Sequence, residues 1–283
     1  MMHKKNVKKW LPDTIACQFF TFISLNIVKL EPMKTKLALL FLLFSIESVA
    51  QRDSVSVERG NLLIKFLKPG KSTYLVTSAN AKTGAVTQIS MWNRETRFEK
   101  KEGRDVVLVK QMRYYADTVN NKFVYTLSDR GSLRTIYDYT RRLRSGIEAF
   151  NYLPGRIVGA DTVEHNTKAG FATEFRDFPF CFEMDLETLA LLPIKKVGQK
   201  LAINFYHPGG ETPPQYYPVE VLSEEDFLGP NGVKIKCWKI KLQYDSESFD
   251  YSWISKEGHE LLKLEGHYPG IIFTKLKTIT HFQ

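Results

Sequence analysis

Glu183, Asp185 and Glu187 are the residues whose type and spacing come nearest to a site in this chain. On a strand they would share one face, where three carboxylates could hold calcium or act as an acid/base pair. At the start of a helix the same residues favour the positive end of its dipole. Leu186, Leu189 and Leu192 follow at helical spacing and favour the helix, with Asp185 as its cap and Pro193 limiting it to two turns.

Other chemistry-bearing residues are dispersed. His165, His207, His259, His267 and His281 form no His-Glu-x-x-His pair. His259 and His267 have equal parity on one strand but lie too far apart to share an ion, so they read as polar strand histidines. No Gly-x-Ser-x-Gly elbow occurs, and neither Cys181 nor Cys237 has a histidine nearby in sequence. The two cysteines could pair in an oxidising compartment. Cys237 lies in the strand-like run Val233 to Leu242, which favours two separate buried thiols. The expectation is therefore no catalytic, cofactor-binding or metal residue, and no ligand-binding residue that can be named.

Arg134, Arg141, Arg142 and Arg144 cluster with Tyr137 and Tyr139. A basic strand with aromatics can bind anionic headgroups or glycans. The alternative is a solvated strand face, with Asp138 offsetting part of the charge. Gly209-Gly210, inside His-Pro-Gly-Gly-Glu-Thr-Pro-Pro, follows a strand but opens no helix, so it is not a phosphate loop.

The elements that must position these residues have a period of two. Phe123, Tyr125 and Leu127 alternate with Val124, Thr126 and Ser128; Leu201, Ile203 and Phe205 repeat the pattern. So do Tyr217, Val219 and Val221, and again Trp238, Ile240 and Leu242. Turn residues separate the runs, as in Lys68-Pro69-Gly70, Pro208-Gly209-Gly210 and Lys256-Glu257-Gly258. The last predicts a hairpin of Phe249–Ser255 with His259–His267, in which Gly258 takes a positive φ. Within it Trp253 alternates with Ser252 and Ile254 and is expected to be buried. The polar segment Leu153 to Gly170 reads as a long connection dividing possible halves, 51–150 and 171–283. About a dozen strands predict an all-β fold: a strongly curved antiparallel sheet or open β-barrel with at most one or two short helices.

Residues 33–50 read as a secretory signal peptide. Lys34 and Lys36 precede the apolar run Leu37–Ile46, and Ser48 and Ala50 are small residues at a cleavage site. The run is too short to span a bilayer. Met1 to Pro32 reads as a start-site extension, since Met33 opens a complete signal peptide by itself. The rival reading, a membrane anchor over Leu11–Val28, is interrupted by Asp13, Gln18 and Asn26. The mature chain would then be one β-rich domain, 51–283, with no transmembrane segment, in the periplasm or outside the cell. It is large enough to fold without disulfide or metal. The leader's seven lysines and three acids supply four of the nine formal positive charges. The remaining excess demands no polyanion, and export argues against nucleic acid as a partner.

The C-terminal third carries a run of motifs: Tyr217-Pro218-Val219-Glu220-Val221, then Gly232-Val233-Lys234-Ile235, then Tyr251-Ser252-Trp253-Ile254, then Leu262-Lys263-Leu264-Glu265. Upstream stand Leu192-Pro193-Ile194 with Gly198, and Lys68-Pro69-Gly70 with Thr73-Tyr74. This set resembles the exported proteins of the domain-of-unknown-function 3108 group. The resemblance implies a curved antiparallel sheet similar to the open barrels of periplasmic lipoprotein carriers, and it brings no catalytic residues. The function expected is non-enzymatic binding of an apolar or amphipathic molecule, a lipid or lipoprotein-like ligand, or an envelope partner, in the concavity of the sheet. A hydrolase with a spatially assembled site and a purely structural envelope module are the alternatives.

Overall fold

The computed structural model describes residues 53–229 and 232–282, and the backbone alone for 279–282. The signal peptide and start-site extension lie outside the described residues. The N-terminal strands are β1 (Asp53–Val55), β2 (Gly70–Asn80), β3 (Val86–Lys101), β4 (Arg104–Tyr115), β5 (Lys122–Asp129) and β6 (Thr135–Arg142). β7 (Gly146–Leu153), β8 (Arg156–Gly159), β9 (Ala172–Glu174) and β10 (Phe180–Cys181) lead to a single-turn 3-10 helix, Phe182–Met184, and to α1 (Asp185–Ala190). Then follow β11 (Lys200–Tyr206), β12 (Gln215–Leu228), β13 (Lys234–Gln243), β14 (Phe249–Ser255), β15 (Leu261–Tyr268) and β16 (Ile271–Phe282).

Strands β2 to β9 and β11 to β16 form two antiparallel meanders joined at one long-range pairing. The order runs β11 to β16, passes to β2, and continues to β9. The join pairs β16 with β2 over their lengths, from Ile271 opposite Asn80 to Phe282 opposite Gly70. Among the described residues the path does not close into a barrel. Both short strands β1 and β10 add in parallel to the outer edge of β11, beside Leu201–Ile203 and Phe205–Tyr206 respectively, and so shield an edge that would otherwise pair with another chain.

The segment Leu153–Gly170, expected as connection, contains β8, which pairs back onto β7. The hairpin of β14 and β15 forms as expected, but the positive φ falls on His259 (φ 50) and not on Gly258. A side chain at 258 would lie 2.7 Å from Ser255 Oγ, so this glycine is needed for room.

Curvature gives the sheet an inner face, and the segment Phe178–Leu192 fills it. Phe180, Met184, Leu186, Leu189, Leu191 and Leu192 are buried there. They join the inward rows Leu201, Ile203 and Phe205 of β11, Val219 and Val221 of β12, and Ile240 and Leu242 of β13. A six-residue helix cannot hold itself in water. Each buried leucine contributes about 1.5–3 kcal/mol, which keeps α1 in place. Met184 is the N-cap, without a side-chain bond; Asp185, expected as cap, lies inside the first turn.

The N-terminal strands use their alternation the other way round. On β5 the buried residues are Lys122, Val124, Thr126 and Ser128, whereas Phe123, Tyr125 and Leu127 are half-buried on the outer face. Trp253 is also half-buried on the outer face, correcting the expectation that it is core. Its Nε1 donates to Glu225 Oε2 at 2.8 Å, and Lys239 and Lys263 lie over its ring at 4.9 and 4.6 Å.

Candidate functional site: a charged strip on the concave face

On the inner parity of β3, β4, β5 and β16, four cations face the strip Glu183–Glu187: Arg94, Arg113, Lys122 and Lys275. The first and last are 2 % and 7 % exposed at the side chain. Buried charges are tolerated only when paired and hydrogen-bonded. Here the partners are the three acids of the strip Glu183–Glu187. Glu183 accepts from Lys122 Nζ through Oε1 and from Arg113 Nη2 through Oε2. Glu187 takes the Arg94 guanidinium through both oxygens, with Nε at 2.8 Å, and also accepts from Thr96 Oγ1 at 3.0 Å. Arg94 Nη2 donates as well to the Glu183 carbonyl at 2.8 Å. Asp185 Oδ2 accepts from Lys275 Nζ at 2.6 Å.

The acids therefore share a helix start, as the leucines predicted, but they are not solvated dipole partners. They are the counter-ions of the sheet. Burial alone would push the Glu183 carboxyl up; Arg113, Lys122 and Arg94 override it and hold it well below the carboxylate range. Burial pushes the Lys122 ammonium down despite Glu183.

Between strip and sheet lies a cavity of about 130 Å³, bounded by Trp92, Arg113, Phe182, Tyr268, Phe273 and Lys275. The Arg113 guanidinium stacks 3.9 Å over the Trp92 ring, and Lys275 Nζ lies 5.1 Å from it. Asp250, on the same wall, accepts from the hydroxyls of Tyr244 and Tyr268 at 2.7 and 2.8 Å, and burial raises its pKa. Gly266 makes room for this group: a side chain there would lie 2.6 Å from Asp250 Oδ1. A second cavity, about 80 Å³, opens at the other flank of α1 beside Glu187, Tyr74 and His259.

Deeper in the same face, Asp138 is fully buried. Its Oδ1 accepts from Thr126 Oγ1 at 2.7 Å and from Cys181 Sγ at 3.6 Å, and its Oδ2 has no hydrogen-bond partner among the described residues. Burial, then Glu183, push its carboxyl up to about 7. Burial likewise pushes the Cys181 thiol up, away from nucleophilic character. Cys181 and Cys237 are both free and buried.

The remaining candidates do not converge. His165 is exposed beside Glu164. His207 lies tilted against Phe182 with ring centroids 3.8 Å apart, and His259 stacks on Phe66 at the same distance. His267 lies against Phe249, its Nε2 3.0 Å from Glu265 Oε1. The side chain of His281 lies outside the described residues. Among the described residues no group of His, Cys, Asp and Glu could hold a metal. Strand parity splits the arginine cluster. Arg142 pairs with Glu148 at 2.9 Å, Arg141 belongs to the outer face, Arg144 lies in the turn, and Arg134 stacks 4.3 Å over Phe178.

The four sheet cations were missed because each sits alone on its own strand. The available signal is parity: Ser90, Trp92, Arg94 and Thr96 share one face of β3, and a charge on a face of hydroxyls and one indole is turned inward.

The fold is of the β-barrel-like class. A β-barrel-like protein of domain-of-unknown-function 1849 from Brucella abortus matches with a TM-score of 0.50 at 8% identity, over 77% of this chain and 98% of that one. A DUF1329 protein from Desulfovibrio piger is 11% identical over 80% of this chain and 90% of its own, with a TM-score of 0.29. No family model matches the sequence, and no curated protein matches it. No helix among the described residues is long and apolar enough to cross a membrane.

Proposed function

We propose that this is an exported envelope protein that binds, without catalysis, the anionic end of an amphipathic molecule on the concave face of its sheet. The observation that carries the reading is the inward set Arg94, Arg113, Lys122 and Lys275, held by only three acids on one short strip, with Glu183 shared between two of the cations. The strip acts as a built-in occupant: a carboxylate or phosphate headgroup replaces its acids, and the apolar tail takes the place that its leucines hold. The motif resemblance to the 3108 group and its implied likeness to lipoprotein carriers point the same way. Residues 33–50 direct the export, and the mature domain begins at Gln51.

The test is calorimetric titration of the mature protein with sodium dodecanoate, with dodecanol as the uncharged control. Glu187→Gln removes one internal anion, and binding of dodecanoate is expected to tighten at least tenfold, with dodecanol unchanged. Absence of saturable binding to wild type and variant alike rejects the reading. A second reading, a structural module, is favoured by how fully the interior is filled: the cavities flanking α1 measure only about 130 and 80 Å³. A hydrolase site finds less support, because the acid with the most upward-shifted carboxyl, Asp138, is sealed in the core beside an inert thiol.

A further inference from the structure

We infer that the outer face of β2 to β6 is a membrane-contact surface that docks one rim of the sheet on an anionic lipid bilayer. This goes beyond ligand binding on the inner face and rests on none of its residues. At the rim where β2 ends and β3 begins, large apolar side chains point outward and stay exposed: Val86 57%, Ile89 56%, Met91 50%, Tyr114 45% and Leu75 40%. Strand register makes them one patch. Leu75, Met91 and Tyr114 stand side by side across β2, β3 and β4, and Ile89 and Val86 lie opposite Thr77 and Ala79 in the next rows toward the rim. Soluble surfaces rarely expose so many adjacent large apolar groups without a partner.

What selects a bilayer over a protein is the order of chemistry moving away from the rim. Each successive outward row lies about 6.6 Å further along the strands. The row after the patch holds Met112, Phe123 and Arg141. The next holds Lys71, Glu95, Lys110, Tyr125 and Tyr139, and the one beyond it Arg97 and Tyr137. So apolar tips come first, then tyrosines and cations. That is the depth profile of a lipid interface, where aromatic rings sit at headgroup level and Lys or Arg meet phosphates. In these three rows four cations face one carboxylate, Glu95, which Lys71 and Arg97 already engage. The surplus is complementary to an anionic leaflet.

The experiment is co-flotation of the mature protein with vesicles of phosphatidylglycerol mixed with phosphatidylcholine, and with phosphatidylcholine alone. Wild type is expected to float with the anionic vesicles, less so as salt is raised. Ile89→Asp with Met91→Asp, both at exposed positions, should weaken this at least tenfold without moving the thermal midpoint. Lys71→Gln with Lys110→Gln should weaken binding to anionic vesicles about 25-fold, at roughly fivefold per cation, and leave phosphatidylcholine unaffected. A wild type that stays at the bottom of the gradient overturns the inference, as do lysine variants that float unchanged. A concentration-dependent dimer abolished by Ile89→Asp and Met91→Asp overturns it too, since a second copy would then cover the patch.

Discussion

Replacing Glu183 with glutamine leaves Arg113 and Lys122 buried without their common counter-ion. Their side chains are 14% and 8% exposed, so water cannot take over the role of the carboxylate. Removing one partner of a buried pair costs about 3–5 kcal/mol, because the charge left behind is uncompensated. For a chain of this size that corresponds to a midpoint lowered by about 6–20 °C. Glu148→Gln, which breaks the more exposed pair with Arg142, is the control and should cost less than about 1 kcal/mol. Adding Lys122→Met to Glu183→Gln should restore part of the loss by removing one stranded charge. Urea unfolding followed by tryptophan fluorescence measures all four proteins. The pH dependence has a defined sign. The Glu183 carboxyl is held below its ordinary 4.5, so its contribution is full above that pH and disappears as pH falls further. The gap between wild type and Glu183→Gln should therefore narrow below pH 4.5. A loss under about 1 kcal/mol at pH 7 would show that the cluster is solvated and that the strip is not held by charge.

Asp138→Asn tests the opposite sign: with its carboxyl raised from 3.8 to about 7, the folded chain keeps a proton that the unfolded chain gives up, so wild-type stability declines across that window. The asparagine variant should be more stable above pH 7 by on the order of a few kcal/mol, converging with wild type below pH 4, as read from urea midpoints across pH. Leu189→Ala, at a side chain only 1% exposed, should cost about 2–5 kcal/mol, whereas Trp253→Ala on the outer face should cost about 1–2; equal losses in thermal melts would contradict the assigned faces. N-terminal sequencing of the exported protein should begin at Gln51, and a mature species retaining residues before Met33 would restore the membrane anchor.

Period-two alternation and turn chemistry are local, so the all-β class and most hairpins could be read directly from the residues. Leu201, Ile203 and Phe205 are all buried as their alternation suggests, and so are Tyr217, Val219 and Val221. The short helix before Pro193 was legible for the same reason, since its leucines and its breaker lie within ten residues of one another. Alternation separates two faces of a strand but does not say which is inside. Curvature and the strip Phe178–Leu192 decided that, turning Lys122 and Thr126 inward and leaving Phe123, Tyr125 and Trp253 outside. The role of the acids was equally hidden. Glu183 meets cations 61 and 70 residues away, Asp185 one 90 away, and Glu187 one 93 away. No spacing rule connects such partners; the pairing of β16 with β2 joins the two runs of strands into one sheet, the strip lies across its inner face, and the cost of leaving a buried charge unpaired then fixes each acid to its cation.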